Sequence, residues 1–426
     1  MPPQSCPASP RHPSRVAAVA TAVILTAALG CAPEAPGAES AGAVQQVRPG
    51  IEVLLTDSIH LVAGRRAALV TNHTGIDAEG TSSIDRLHGH PEVELVALFS
   101  PEHGIRGTAE AGELVDHSMD QATGLPVHSL YGETRKPTPE MLEGVEVLLF
   151  DIQDIGTRYY TYIYTMGLAM EAAGEAGIPF VVLDRPNPVG GALVQGNILE
   201  PDFASFVGLY PIPKRHGMTP AELARLYRDA FGVAVELQIA PLEGWRRDDL
   251  FPDTGLPWLA PSPNMPDLES ALHYPGTCLF EGTNLSVGRG TPRAFQQVGA
   301  PWIDGEVLAR RMTARGLPGV TFHPVRFTPR NPGDGKFADQ EVGGVRLEVT
   351  DPDRYDPART GVALVVEARA LSGDRWSWRS SHFDRLAGTD ALRQGVEAGL
   401  DEPDLTGGWE AELAGFLPLR AAALLY

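Results

Sequence analysis

Lysine is nearly missing from this chain. It occurs only as Lys136, Lys214 and Lys336, while 54 acidic residues face 34 basic ones, for a net charge of -20 over 426 residues. That balance excludes a protein that binds nucleic acid through its general surface, because a polyanion rewards basic faces. Positive charge therefore means arginine, whose planar fork suits bidentate capture of a carboxylate or phosphate at a local site. Cysteine is equally scarce: Cys6, Cys31 and Cys278 are too few for a disulfide framework, so an apolar core must hold the fold. The sequence also lacks GxGxxG, P-loop, CxxC, GxSxG and HExxH patterns. Nothing in it therefore calls for a nucleotide cofactor or a bound metal.

Long apolar runs are missing too, apart from one near the start. Residues 16–29 follow Arg11, His12 and Arg15, and the run is too short to span a bilayer. It reads as a secretory signal. The exit, Ala28-Leu29-Gly30-Cys31, resembles a bacterial lipobox, in which the cysteine carries lipid. The expected location is thus the cell envelope, with a lipid anchor at Cys31 as the only link to the membrane; otherwise the protein is secreted or periplasmic. Residues 32–46 are rich in Ala, Pro, Gly and Glu and read as a flexible tether after the 1–31 leader.

What the sequence does have is alternation of strand and helix. Apolar runs at 67–70, 93–99, 145–150 and 180–183 have the texture of parallel strands covered on both faces. Each is followed by a polar cluster, and parallel strands bring such clusters to one edge. A capping box at Thr219 and Glu222 opens a helix that Gly232 should stop. A shorter helix is expected from Thr138-Pro139, an edge strand at 233–239, β-structure at 345–349 and 362–368, and helices at 390–398 and 409–416. The fold class is α/β: a Rossmann-like, mostly parallel sheet domain over 47–242, then a smaller α+β domain over 243–426, with the active-site cleft between them.

Candidate functional residues follow from those strand ends. Glu102 comes directly after the second run, and a carboxyl group fixed against an apolar wall can serve as a proton donor. Asp151 and Asp154 flank Gln153 after the third run; they orient a water, bind hydroxyls, or pair with Arg158. Glu171 lies on the helix that follows. Asn72, His73, His103, Asp184, Asn187 and His216 offer hydrogen bonds suited to sugar hydroxyls, and Tyr162 with its tyrosine neighbours offers stacking faces. From the later part come Asn264, Glu281, Asn284 and Arg289, in glycine-rich loops where backbone approaches ligand closely.

The motifs SPEHGIRG, LPVHSLYG, FDIQDIGTRYYTYIYTM, LDRPNPVGG, PIPKRHGMT, LPWLAPSPNMP and YPGTCLFEGTNLSVGRGT together resemble the exo-β-N-acetylmuramidase family, the NamZ-like glycosidases of glycoside hydrolase family 171. The resemblance runs from Gly50 to Tyr426. It implies a Rossmann-like domain with a smaller partner, and release of N-acetylmuramic acid from the non-reducing end of peptidoglycan fragments without a cofactor. Glu102 matches the family's catalytic glutamate, and Glu171 falls on its helix-borne acidic position. Glu102 is then the expected general acid, with Glu171, Asp151 or Glu281 as partner, and Arg158 or Arg289 meets the lactyl carboxylate. The rival readings are a tethered solute-binding lipoprotein for muramic sugars and a metal-dependent amidohydrolase acting on amino sugars.

Overall fold

The computed structural model describes residues 46–107, 112–114 and 116–426. The leader, Cys31 and residues 32–45 of the tether lie outside the described residues. Helix α1 (Gly50–Thr56) leads into β1 (Arg66–Thr71), α2 (Ser83–His88), β2 (Glu94–Ser100), β3 (Ser118–Met119), β4 (Pro126–Ser129), β5 (Val147–Asp151), α3 (Tyr162–Ala176) and β6 (Phe180–Leu183). After them come β7 (Gln195–Ile198), β8 (Pro213–Arg215), α4 (Pro220–Asp229) and β9 (Leu237–Ala240). The main sheet has the order β3-β4-β2-β1-β5-β6-β9, parallel except for β3. With β3 set aside, the parallel strands follow the order of a Rossmann fold, reversing direction between β1 and β5.

The strands alternate between two cores, as pleated backbone requires. Ala67, Leu69, Leu98, Val147, Leu149 and Val181 face one cluster, where α1 and α2 pack. Ala68, Val70, Phe99, Leu148, Phe150 and Val182 face the other, which α3 and α4 cover. The capping box at Thr219 is formed and opens α4.

The remaining elements are α5 (Leu268–Thr277), β10 (Gln297–Ala300), α6 (Gly305–Ala314), β11 (Val320–Phe327), β12 (Val342–Val349), α7 (Pro357–Ser372), α8 (Ser380–Ala387), α9 (Ala391–Glu397), α10 (Glu402–Thr406) and α11 (Trp409–Ala423). Strands β10, β12 and β11 form an antiparallel sheet, and β7 pairs with β8 in a ribbon. The core of this part, including Val298, Val345 and Leu364, is continuous with the α3–α4 side of the main sheet. Residues Val44–Tyr426 accordingly form one compact unit.

Two local expectations are corrected. The stretch 362–368 lies inside α7, not in a strand. Its residues are buried almost all round the helix, which removes the one-sided period that marks a surface helix. Thr138-Pro139 opens only a turn.

Candidate active site

Four strands end level with one another. The register pairs Val70 with Phe99 and Phe150, Thr71 with Asp151, and Ser100 with Ser129. The crevice expected at the reversal point, between β1 and β5, is filled by side chains. Asp151 is fully buried; Arg185 donates to both of its oxygens, and Ser83 donates to one of them as well. Gln153 donates to the carbonyls of Asp154 and Pro186. Only a small void of about 10 Å³ remains beside Gln153 and Arg185.

The large cavity, about 600 Å³, lies to one side, over the ends of β2, β4 and β5. Glu102 stands on its wall. Thr161 Oγ1 donates to Glu102 Oε2 at 2.7 Å and the Gly112 N–H donates to Oε1 at 2.9 Å. Thr161 occupies the cap position of α3, yet its hydroxyl serves Glu102 instead of the helix end. Tyr131, just beyond β4, also faces the cavity; burial, and then the Glu102 charge, push its phenol up to about 12. His103 beside it adopts φ 70°, in the left-handed region, which turns the chain sharply after the glutamate.

The tyrosine run chiefly fastens the later half of the chain to this floor. Tyr162 donates to the Pro261 carbonyl at 2.6 Å, and Tyr159 donates to the carbonyls of Tyr274 and Pro275. Tyr160 meets Tyr162 and Tyr274 edge-on, at centroid distances of 5.0 and 5.9 Å. The opposite wall carries Glu281 and Arg289, joined by a 2.5 Å ion pair. Burial alone would raise the Glu281 pKa; Arg289 outweighs it and holds the carboxyl below its ordinary range. The rim is completed by Asp334 and by Arg379, His382 and Arg385, which lie on and just before α8.

Of the residues expected at the site, Glu102, His103, Tyr162, Glu281 and Arg289 line this cavity together. Glu171 does not: it sits on α3 beside Glu175 and Tyr210 in a separate hollow, within reach of Lys136 at 3.3 Å. A position two turns into a helix is carried away from the strand ends, which explains the displacement. Arg158 is also elsewhere. Fully buried, it donates to the carbonyls of Asn197, Ile212, Leu386 and Ala387, so no donor pair remains for a ligand carboxylate.

The other candidates support the scaffold. Asp184 accepts from Ala221 N–H, Thr219 and Tyr426, and burial pushes it up to about 7. Asn187 donates to Met218, and Asn72 accepts from Thr74. Asn284 ties its loop to Arg375 and Ser377. Asn264 is buried beside the cavity residues Ser262 and Met265. His73 meets the Ala260 carbonyl at 2.8 Å, and burial lowers its pKa. His216 accepts from the Met218 N–H at 3.2 Å, and its other nitrogen lies 3.6 Å from Asp154. Among the described residues no three His, Cys, Asp or Glu side chains cluster as metal ligands would.

Sequence reasoning missed Tyr131, Thr161, Arg379, His382 and Arg385. A signal for the last three existed: Trp376-Ser-Trp378-Arg379, followed by basic residues at three-residue spacing, which places them on one helix face.

Comparison with known proteins adds to this geometry. Residues 67–269 match the family model described as exo-beta-N-acetylmuramidase NamZ, N-terminal, and residues 272–426 match the C-terminal model. The chain is 47% identical over 382 residues to the peptidoglycan beta-N-acetylmuramidase NamZ of Bacillus subtilis (strain 168), covering 89% of this chain and 92% of that one. Two crystal structures of DUF1343 family proteins from Bacteroides fragilis NCTC 9343 are also similar. One has a TM-score of 0.83 at 37% identity, spanning 89% of this chain and 99% of the other. The second has a TM-score of 0.73 at 31% identity, spanning 90% and 99%.

Proposed function

The chain belongs to the NamZ family of exo-β-N-acetylmuramidases, and on that premise we propose how its cavity performs the reaction. The protein is an exo-acting glycosidase that releases N-acetylmuramic acid from the non-reducing end of peptidoglycan fragments. The observation that carries the mechanism is Glu102, fixed on a strand end in a 600 Å³ cavity by a hydroxyl and a backbone N–H.

Glu102 is the general acid. Its proton passes to the glycosidic oxygen as the bond from that oxygen to the anomeric carbon breaks, leaving an oxocarbenium-like ring. A water then adds to the ring, and the proton it releases restores Glu102. Glu281, kept ionised by Arg289, supplies negative charge from the facing wall as the ring becomes positive. The aromatic walls formed by Tyr131, Tyr160 and Tyr274 give the sugar flat apolar surfaces with polar edges. The leader and Cys31 support placement in the cell envelope through a lipid anchor, where such fragments arise; Cys31→Ser should release the protein from the membrane fraction.

Glu102→Gln keeps the size and one acceptor oxygen for the Gly112 N–H, while its amide NH2 can donate to the Thr161 hydroxyl in place of accepting from it; the transferable proton is removed. Turnover of 4-nitrophenyl β-N-acetylmuramide should fall by about 10³-fold or more, with the thermal midpoint within a few degrees of the parent. Retained turnover in a folded Glu102→Gln protein would refute the assignment.

A further inference from the structure

The cavity wall carries four arginines, and they are not equivalent. Arg289 is paired with Glu281. Arg135 stands over the rings of Tyr131 and Phe206, at 5.2 and 4.4 Å. Arg379 and Arg385 face the same cavity from the α8 side and form no ion pair among the described residues, although both are exposed. None of the three acids lining the cavity, Glu102, Glu281 and Asp334, pairs with them, and Asp334 Oδ2 is buried without a hydrogen bond. Asp334 lies 3.7 Å from Lys336, and Glu102 is held by neutral donors. In a chain of net charge -20, two unneutralised guanidinium groups at a cavity mouth form a local anion seat, where the low-dielectric wall concentrates their field.

The seat is built. Helix α8 is pinned from beneath, because Arg158 donates to the carbonyls of Leu386 and Ala387 at its last turn. It is pinned at its start too, where Arg379 N–H donates to Gly282, the residue after Glu281. Phe383 also packs edge-on against Trp378, with ring centroids 4.6 Å apart. The backbone that carries the two arginines is thus fixed relative to the loop that carries Glu281, and their guanidinium groups reach the cavity from it.

We propose that Arg379 and Arg385 seat the lactyl carboxylate of the muramic-acid ring, making them the residues by which this cavity tells muramic acid from an uncharged amino sugar. The inference rests on the muramidase reading and deepens it. It also reassigns the anion-binding role away from Arg158 and Arg289, whose donors face carbonyls and Glu281. An arginine fork accepts a free carboxylate in bidentate fashion, whereas a carboxamide at the same place offers one neutral oxygen and two unwanted donors.

The test compares 4-nitrophenyl β-N-acetylmuramide with the same glycoside carrying a lactyl carboxamide, using the full enzyme and the R379Q/R385Q double variant. The parent should favour the acid in kcat/KM by about tenfold or more. In the double variant the acid should lose at least that factor, mainly through KM, while the amide loses no more than a few-fold, so the preference collapses. Raising salt should weaken the parent's preference in the same direction, and the R379K/R385K variant should recover part of it. A folded double variant that still prefers the acid overturns the seat and leaves the muramidase reading standing. A parent that cleaves neither glycoside overturns both.

Discussion

Lys214 shows how single residues set the electrostatics of this interior. Its ammonium is fully buried with no hydrogen-bond partner, 5.3 Å above the Trp409 ring, and burial lowers its pKa to about 7. The sign follows from linkage. Below about 7 both folded and unfolded chains hold the proton, and the full burial penalty is present. Between about 7 and the ordinary value of 10.5 only the unfolded chain holds it, so this residue makes stability rise with pH. Lys214→Met should remove that rise and raise stability at pH 7 by roughly 2–4 kcal/mol, read from urea midpoints at pH 7 and 9.5. An unchanged slope would show that the ammonium is hydrated in solution. At this scale the sequence was partly legible. Glu102 and Glu281 stood out because a strand end and a glycine-rich loop announced them. The pattern offers Asp151 as a catalytic partner and Arg158 as an anion ligand, because a sequence does not reveal which polar side chain will find an internal partner. Here Arg185 and four carbonyls supplied those partners.

Among the elements, α8 depends on what lies beneath it. It ends at Gly388, in the left-handed region at φ 77°, and a Cβ there would come within 2.6 Å of the Arg158 guanidinium. Gly388→Ala should therefore cost about 2–3 kcal/mol, combining backbone strain with the displaced arginine. It should also raise KM for the muramide as the arginine wall shifts. Denaturant midpoints and steady-state kinetics check the two effects; a loss of stability with an unaltered KM would mean the wall is held by other contacts. Element type was legible where a short apolar run stops at a polar cluster or a cap marks the start. The β1, β2, β5 and β6 runs alternate between two cores, and α4 announced itself by its cap. It was illegible in α7, where Ala358, Val362, Val365 and Ala368 face one side while Gly361, Ala363 and Leu364 are buried on others. Such a helix carries no polar stripe and its β-branched residues imitate a strand.

For the whole molecule, the main consequence of the fold is that the two parts share one interior. The apolar cluster on the α3–α4 side of the sheet runs without interruption from Val70 and Phe150 to Val345 and Leu364. Arg247 pairs with Glu222, and Tyr426 donates to Asp184 near the start of α4. Heating should thus give a single calorimetric transition, and residues 47–269 expressed alone should be insoluble or lack cooperative unfolding, because one face of the sheet would lie open. Two separated transitions would show that the parts fold independently. The parallel sheet and its wet edge could be read from the pattern of runs. The position of the cavity could not, since it depends on which crevice the side chains fill.

The guanidinium of Arg158 has a last implication. It sits directly behind the tyrosine floor and grips the far end of α8 from within, so the gap between Glu102 and the backbone of α8 is a dimension of the interior. Rim loops can then lengthen or change charge without resizing the sugar that fits, whereas a one-atom change at this hidden cation would alter the gauge of the whole cleft.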